Sequence, residues 1–366
     1  NDLINAIARL DSNNIEPHLL IYTDRLTDVK TGKTISTISA RQTLITSQHK
    51  QILGIFSPET GSLNSTEPRK NKFITYSSND HPDYVIQNQY VDTGKRPVFF
   101  LNEAKKAALQ ISPNGDRAKF YDNHGRLLRE KIFSQNLPHN YETPLTVFSA
   151  DGNRLAFFTR IFNMEDNQMI PMLYLLSPIG EEIWKAQLIL KRFDNLEISE
   201  SGQSVVAAGQ TFQPVGSQTQ NHIFVFDSIG VIQNSLPYRA IQTAFNPAEN
   251  QLLIRDEQTV KIIDLNSEGI VISIKIGRGR REIADMCYLN DSTFIVSTGT
   301  VKFTNGVRIY DSPEIRLYSI SGSLLATADF PDTYSHLATI VKSFSGNRIG
   351  FCLQNKFIVL QVTQKD

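Results

Sequence analysis

A single tryptophan, four methionines and two cysteines are all that 366 positions hold of those residues. Two cysteines cannot frame a disulfide-stapled scaffold, and Cys287 and Cys352 each fall inside an apolar, strand-like run where a thiol packs as a small hydrophobe. Buried free thiols are therefore expected in preference to a bridge. No stretch approaches the roughly eighteen apolar residues that a membrane span needs, so no integral membrane segment is expected. Charge of one sign is missing as well, since 37 basic residues balance 37 acidic ones. Such a chain has no long-range pull on nucleic acid or an anionic membrane, which leaves charge-driven recognition to local patches. Catalytic signatures are also missing: there is no Gly-x-Ser-x-Gly elbow, His-Glu-x-x-His pair, Walker loop or calcium loop, and the histidines follow no ligand spacing. No catalytic residue, metal or cofactor is expected.

What the chain has in quantity is a repeat. An aromatic residue or Leu, then Asp, Ser or Asn, two residues and Gly recur as Tyr121–Gly125, Leu176–Gly180, Phe226–Gly230, Leu265–Gly269 and Tyr318–Gly322. The polar side chain at the second position can bond backbone two residues on, and Gly supplies the positive φ of a reversal. Strand-like runs flank each copy, for example Ile223-Phe-Val-Phe226 before and Ile270-Val-Ile272 after, so each copy predicts a β-hairpin. A second turn lies upstream, clear as Ser149-Ala-Asp-Gly152, Ser199-Glu-Ser-Gly202 and Ser343-Phe-Ser-Gly346, degenerate at Asn246–Glu249 and Tyr288–Asp291. Two hairpins in series make a four-stranded antiparallel unit, and its period is that of a propeller blade.

The expectation is an all-β chain forming a single β-propeller, with blades at 40–92, 95–134, 141–190, 191–237, 238–277, 281–330 and 334–362. Seven is the favoured count, and the turn-like Asp28–Gly32 and Ser57–Gly61 keep six or eight open. Residues 1–39 are expected to form an N-terminal segment: a short helix with Leu3, Ile4, Ile7 and Leu10 on one face, then a linker. The last blade lacks one strand, which Lys33–Ile38 should supply, closing the ring so that no sheet edge stays open.

Ser149-Ala-Asp-Gly152 followed by Arg154-Leu-Ala-Phe157 resembles the Ser-Pro-Asp-Gly repeats of TolB-like and WD40-like propellers. Asp28-Val-Lys-Thr-Gly-Lys33 resembles the turn of quinoprotein-like repeats. The resemblance spans most of 40–362 at the level of blade turns. It implies the propeller fold and, because that fold hosts many activities, no particular chemistry.

Counting seven residues back from each upstream turn reaches the start of the innermost strand of a blade, at Lys95, Glu142, Arg192, Arg239, Arg281 and His336. In a propeller these positions ring one mouth of the central channel. Four of the six are Lys or Arg, types that make up only 37 of 366 residues. Arg278 and Arg280, in Gly277-Arg-Gly-Arg280, flank the same connections. No helix follows that run, so a solvated basic loop is expected there in preference to a phosphate cradle. Guanidinium groups at such a mouth can hold carboxylate or phosphate through paired hydrogen bonds.

Three long loops open onto the same face. Residues 162–171 carry Phe162, Met164 and Met169; 211–221 are polar and Gln-rich; 300–308 carry Phe303 and an Asn305-Gly306 hairpin signal. Phe and Met on adaptable loops suit a partner contact. Together these features favour a non-catalytic scaffold that binds a protein partner through the basic mouth and the long loops, in an extracytoplasmic compartment such as the periplasm. A propeller-type hydrolase or lactonase with Glu142 as acid/base, or a binding protein for a small anionic ligand, is the alternative. No nucleic-acid partner is expected.

Overall fold

Runs that are apolar or alternate in polarity become strands, and among the described residues every regular element is a strand. A computed structural model describes residues 107–362 apart from 113–114, 123–125, 134–143, 164, 166, 213–218, 278, 305–306, 336–337, 339, 343–347 and 354–355, and before residue 103 the strands alone. Side chains are described between 107 and 340, except at 212, 304 and 307, and at 349–351 and 360. The chain divides into two compact units, Ser12–Leu188 and Asn1–Asp11 with Ile189–Asp366.

β1 (Ile7–Arg9) belongs to the second unit. The first unit begins with a three-stranded sheet of β2 (Leu19–Tyr22), β3 (Arg25–Asp28) and β4 (Thr34–Thr37). A four-stranded sheet follows, of β5 (Ala40–Ile45), β6 (Ile52–Phe56), β7 (Arg69–Tyr76) and β8 (Pro82–Tyr90). The next holds β9 (Val98–Asn102), β10 (Ala107–Ile111), β11 (Arg117–Tyr121) and β12 (Leu127–Ile132). The last sheet of this unit holds β13 (Leu145–Phe148), β14 (Leu155–Asn163), β15 (Gln168–Leu176) and β16 (Glu182–Gln187).

The second unit repeats the plan. Its first sheet contains β17 (Arg192–Ile198), β18 (Val205–Phe212), β19 (Thr219–Phe226) and β20 (Ile232–Leu236). Its second contains β21 (Gln242–Phe245), β22 (Gln251–Asp256), β23 (Thr259–Asp264) and β24 (Ile270–Lys275). Its third contains β25 (Arg281–Asn290), β26 (Thr293–Thr304), β27 (Val307–Ser319) and β28 (Leu324–Asp329), with β29 (Tyr334–Ser335) paired to β27. The fourth joins β30 (Ile340–Lys342), β31 (Arg348–Leu353) and β32 (Lys356–Val362) to β1. Each described pairing is antiparallel and between chain neighbours, apart from β1 on β32 and β29 on β27.

The recurring turns lie between the third and fourth strands and show why their residues recur. Asp227 Oδ1 accepts from the N–H groups of Ile229 and Val231, at 3.0 and 2.9 Å, while Gly230 takes φ 85°. The hydroxyls of Ser177 and Ser319 accept from the N–H four residues on, of Glu181 and Ser323, and Gly180 and Gly322 adopt φ 82° and 87°. A one-residue register shift accompanies each of these turns, the bulge that a positive-φ residue creates in a hairpin. The copy expected at Leu265–Gly269 is corrected by two residues. Its acceptor is Asp264, which bonds the N–H of Asn266 and Ser267, and Glu268 takes the positive φ of 56°. The longer loop hid the true match of Ile263-Asp264 to Phe226-Asp227.

Second and third strands are buried on both faces because successive sheets pack face to face. Val206, Ala208, Ile223 and Val225 pack with Phe245, Leu252, Ile254 and Ile263 of the next sheet. Leu253, Val260 and Ile262 pack in turn with Met286, Tyr288, Phe294 and Val296. In the first unit, Leu109, Ile111 and Phe120 pack with Leu155, Phe157 and Tyr174. Fourth strands are exposed at their starts, where Val231, Ile232, Ile270, Val271, Leu324 and Leu325 face outward.

Three sequence expectations are corrected. Ile7–Arg9 is a strand rather than part of a helix: so short a helix is marginal in water, whereas the free edge of β32 offers backbone partners. Thr34–Thr37 pairs with β3, so it is β1, and not 33–38, that completes the C-terminal sheet. The loop expected at 162–171 is largely strand, because the β14–β15 ladder runs on to Asn163 opposite Gln168. Cys287 is half-buried, and the side chain of Cys352 lies outside the described residues.

Candidate functional site

In the third sheet of the second unit, strand alternation sets two opposite charges side by side. Glu314 and Arg316 are two apart on β27 and so share a face. Arg316 grips Glu314 through Nε and Nη2, at 2.7 and 2.9 Å. Arg281, the first residue of β25, sends Nη1 to the same carboxylate at 2.9 Å. Its remaining donors reach the Thr298 hydroxyl and the Ser312 carbonyl, each at 3.1 Å. One carboxylate, 12% exposed, thus serves two guanidinium groups. Hydrogen bonding to Glu314 raises the Arg316 value above the usual arginine range against the opposing effect of burial, so this side chain stays charged.

These residues wall a cavity of about 550 Å³, a volume usual for ligand pockets. Arg280, Thr300, Lys275, Ile276 and Leu324, at the start of β28, extend the wall. Arg280 and Lys275 are exposed and, among the described residues, make no ion pair. Formally, four cations (Lys275, Arg280, Arg281 and Arg316) surround one anion (Glu314), a surplus of three positive charges. Close approach shapes the entrance: a Cβ on Gly277 would stand 2.7 Å from the Arg281 carbonyl oxygen and 2.8 Å from Gln258 Cγ.

The other sequence candidates fall elsewhere. Arg192 bonds Asp194 at 2.8 Å and Arg239 bonds Glu257 at 2.5 Å. With Arg281 on Glu314, each described arginine of the expected ring faces a carboxylate, so the strand starts carry less free charge than residue counting indicated. Lys95, Glu142, Arg278 and His336 lie outside the described residues, as does Met164. Phe162 and Met169 are half-buried partners across the β14–β15 ladder of the first unit. Phe303 is 73% exposed near the tip of the β26–β27 hairpin, which runs beyond the start of β25. Arg308 braces that hairpin, bonding Glu282 on β25 and lying 5.1 Å from the Tyr310 ring centre. Lys275, Glu314 and Arg316 were missed. The sequence signal for Glu314 and Arg316 is the pairing of opposite charges two positions apart in a strand-like run, and Lys275 had none.

No family model matches the chain, and no curated protein matches it. Solved structures do. A eukaryotic initiation factor superposes with a TM-score of 0.52 at 12% identity, covering 84% of this chain and 70% of its own. Sqt1 of Chaetomium thermophilum, solved bound to the N-terminus of the ribosomal protein L10, superposes with a TM-score of 0.54 at 11% identity, covering 95% of this chain and 92% of its own. At these identities the likeness shows the fold alone: the chain has a WD40-like β-propeller fold.

Proposed function

We propose that this WD40-like propeller is a non-catalytic interaction scaffold that holds a protein partner at the basic cavity beside β27 and at the neighbouring Phe303 hairpin. One observation carries the proposal. Arg280 and Lys275 stand exposed and without an ionic partner at a cavity whose two inner guanidiniums already share the single carboxylate. Charge left uncompensated at an ordered cavity is suited to an anionic group brought by another molecule. The exposed Phe303 supplies the kind of aromatic contact that anchors protein interfaces. Sqt1 is an instance of this fold holding a segment of another protein, and only that general use is carried over. In the same proposal, β1 closes the propeller by completing its last sheet.

Affinity capture with the wild type, with Lys275→Glu/Arg280→Glu and with Phe303→Ser tests the assignment. Both variants change exposed side chains, so the fold should persist. Partner recovery should fall by about tenfold or more in the charge-reversed form, as expected for lost charge complementarity. Equal recovery by wild type and charge-reversed protein would remove this function for the cavity.

A further inference from the structure

The cavity has a direction as well as a charge. Its charged end is built by Arg280, Arg281 and Glu314, and its apolar end by Leu324. Along the ladder, Glu314 stands opposite Asp329, and Tyr318 opposite Leu324. The two ends are therefore four β27 residues apart, or about 13 Å at the rise of an extended strand. A single carboxylate or phosphate would fill only the charged end. A chain of about four extended residues spans the whole, with alternate side chains about 6.6 Å apart on one face.

Partner chemistry follows from the lining. Arg281 is held in place by Glu314, Thr298 and the Ser312 carbonyl, and Arg316 by Glu314. The two are ordered cations whose charge is only half compensated. Arg280 and Lys275 add charge at the solvent side. Leu324, 54% exposed, offers apolar surface within the same walls. A partner segment matching this needs a carboxylate side chain at one end and an apolar side chain at the other.

We infer that the groove along β27 binds an extended acidic-apolar segment of a partner protein, its Asp or Glu carboxylate between Arg280, Arg281 and Arg316 and its apolar side chain against Leu324. This rests on the scaffold function proposed above and names the chemistry of the partner. The carboxylate displaces water from guanidiniums that are already ordered, so little side-chain freedom is lost on binding. The apolar contact fixes which way the segment runs.

Fluorescence anisotropy with a labelled octapeptide of Ser that carries one Glu and one Leu four positions apart provides the test. Its Gln-for-Glu counterpart and free glutarate serve as comparisons, and Lys275→Gln/Arg280→Gln and Leu324→Ser as variants. Saturable binding of the Glu peptide is expected, weakened about 10–100-fold by the charge-removing pair, the range for losing hydrogen bonds to a charged group. The Gln peptide should bind no better than the Glu peptide does to that variant, and Leu324→Ser should weaken the Glu peptide alone, leaving glutarate unaffected. No saturable binding, equal binding of the Gln peptide, or equal binding by the charge-removed variant overturns the inference. Glutarate matching the peptide would also overturn it, in favour of a small-anion site. Peptide failure combined with charge-dependent partner capture would remove the acidic-apolar chemistry and leave the scaffold function standing; failure of both removes both.

Discussion

Gly277 shows how a single missing side chain conditions the cavity. A methyl group there would meet the Arg281 carbonyl oxygen at 2.7 Å and Gln258 at 2.8 Å, so the backbone that carries Arg281 would have to move. Gly277→Ala should cost about 1–3 kcal/mol in chemical denaturation, the range for overpacking, and weaken anion binding through displaced Arg281. Gly269→Ala is the control: only the flexible Ser267 hydroxyl comes within 3.3 Å, and the stability change should stay within about 0.5 kcal/mol. Equal costs at the two positions would refute this account. From sequence, Gly277-Arg-Gly-Arg280 was legible as a basic loop. The partner of Arg281 was not, because Glu314 lies 33 residues away and meets it only when β25, β26 and β27 assemble.

At the scale of elements, one buried carboxylate ties three sheets. Asp285 on β25 accepts from the N–H of Ile340 on β30 at 2.7 Å, from the Gln242 side chain on β21, and from its neighbour Met286 at 2.8 Å. Arg255 on β22 lies close by, its Nη1 bonded to the carbonyls of Ile283 and Ala284. Asp285→Ala would leave these donors and a buried guanidinium uncompensated, at a cost of about 3–5 kcal/mol in chemical denaturation. Burial raises the Asp285 carboxyl above the ordinary carboxylate value, against the pull of its donors and of Arg255. A raised folded-state value means that folding favours the protonated form. Its stabilisation is present below about pH 4 and is lost as pH rises through the raised value. Asp285→Asn cannot ionise, so whatever its fixed offset, its Tm relative to wild type should climb between pH 4 and 8. A difference independent of pH would contradict the sign. The ladder register hides this residue from sequence reading: the bulge between Ile283 and Asp285 turns the side chain to a place that strict alternation does not assign it.

For the whole molecule, the chain's beginning and its last sheet are one structure. Ile7, Ala8 and Arg9 pair with Val362, Gln361 and Leu360, and the edge of β32 is covered by that pairing. Removing residues 1–11 should lower stability by about 1–3 kcal/mol, the net worth of a few backbone hydrogen bonds. It should also bring concentration-dependent association, measurable by light scattering, as an open strand edge recruits others. Unchanged stability and a monodisperse truncated chain would show that β1 is dispensable. The repeated turns made the hairpins legible in advance. The strand that completes the last sheet was misassigned because Ile7–Arg9 and Thr34–Thr37 are both short and apolar in part, and only competition for the edge distinguishes them.

The sequence by itself determined the all-β character and the turn chemistry, because each hairpin depends on a side-chain acceptor and a positive-φ residue within a few positions of one another. Those are local forces, readable from Asp227 to Gly230 without the rest of the chain. The tertiary structure alone decided which arginines remain available. Arg192, Arg239 and Arg281 look alike in sequence, yet each meets a carboxylate, while Arg280 and Lys275 meet none among the described residues. Charge compensation depends on distances between strands far apart in the chain. Folding therefore left two exposed cations without a carboxylate at the cavity beside β27, although residues that could carry such charge recur from sheet to sheet.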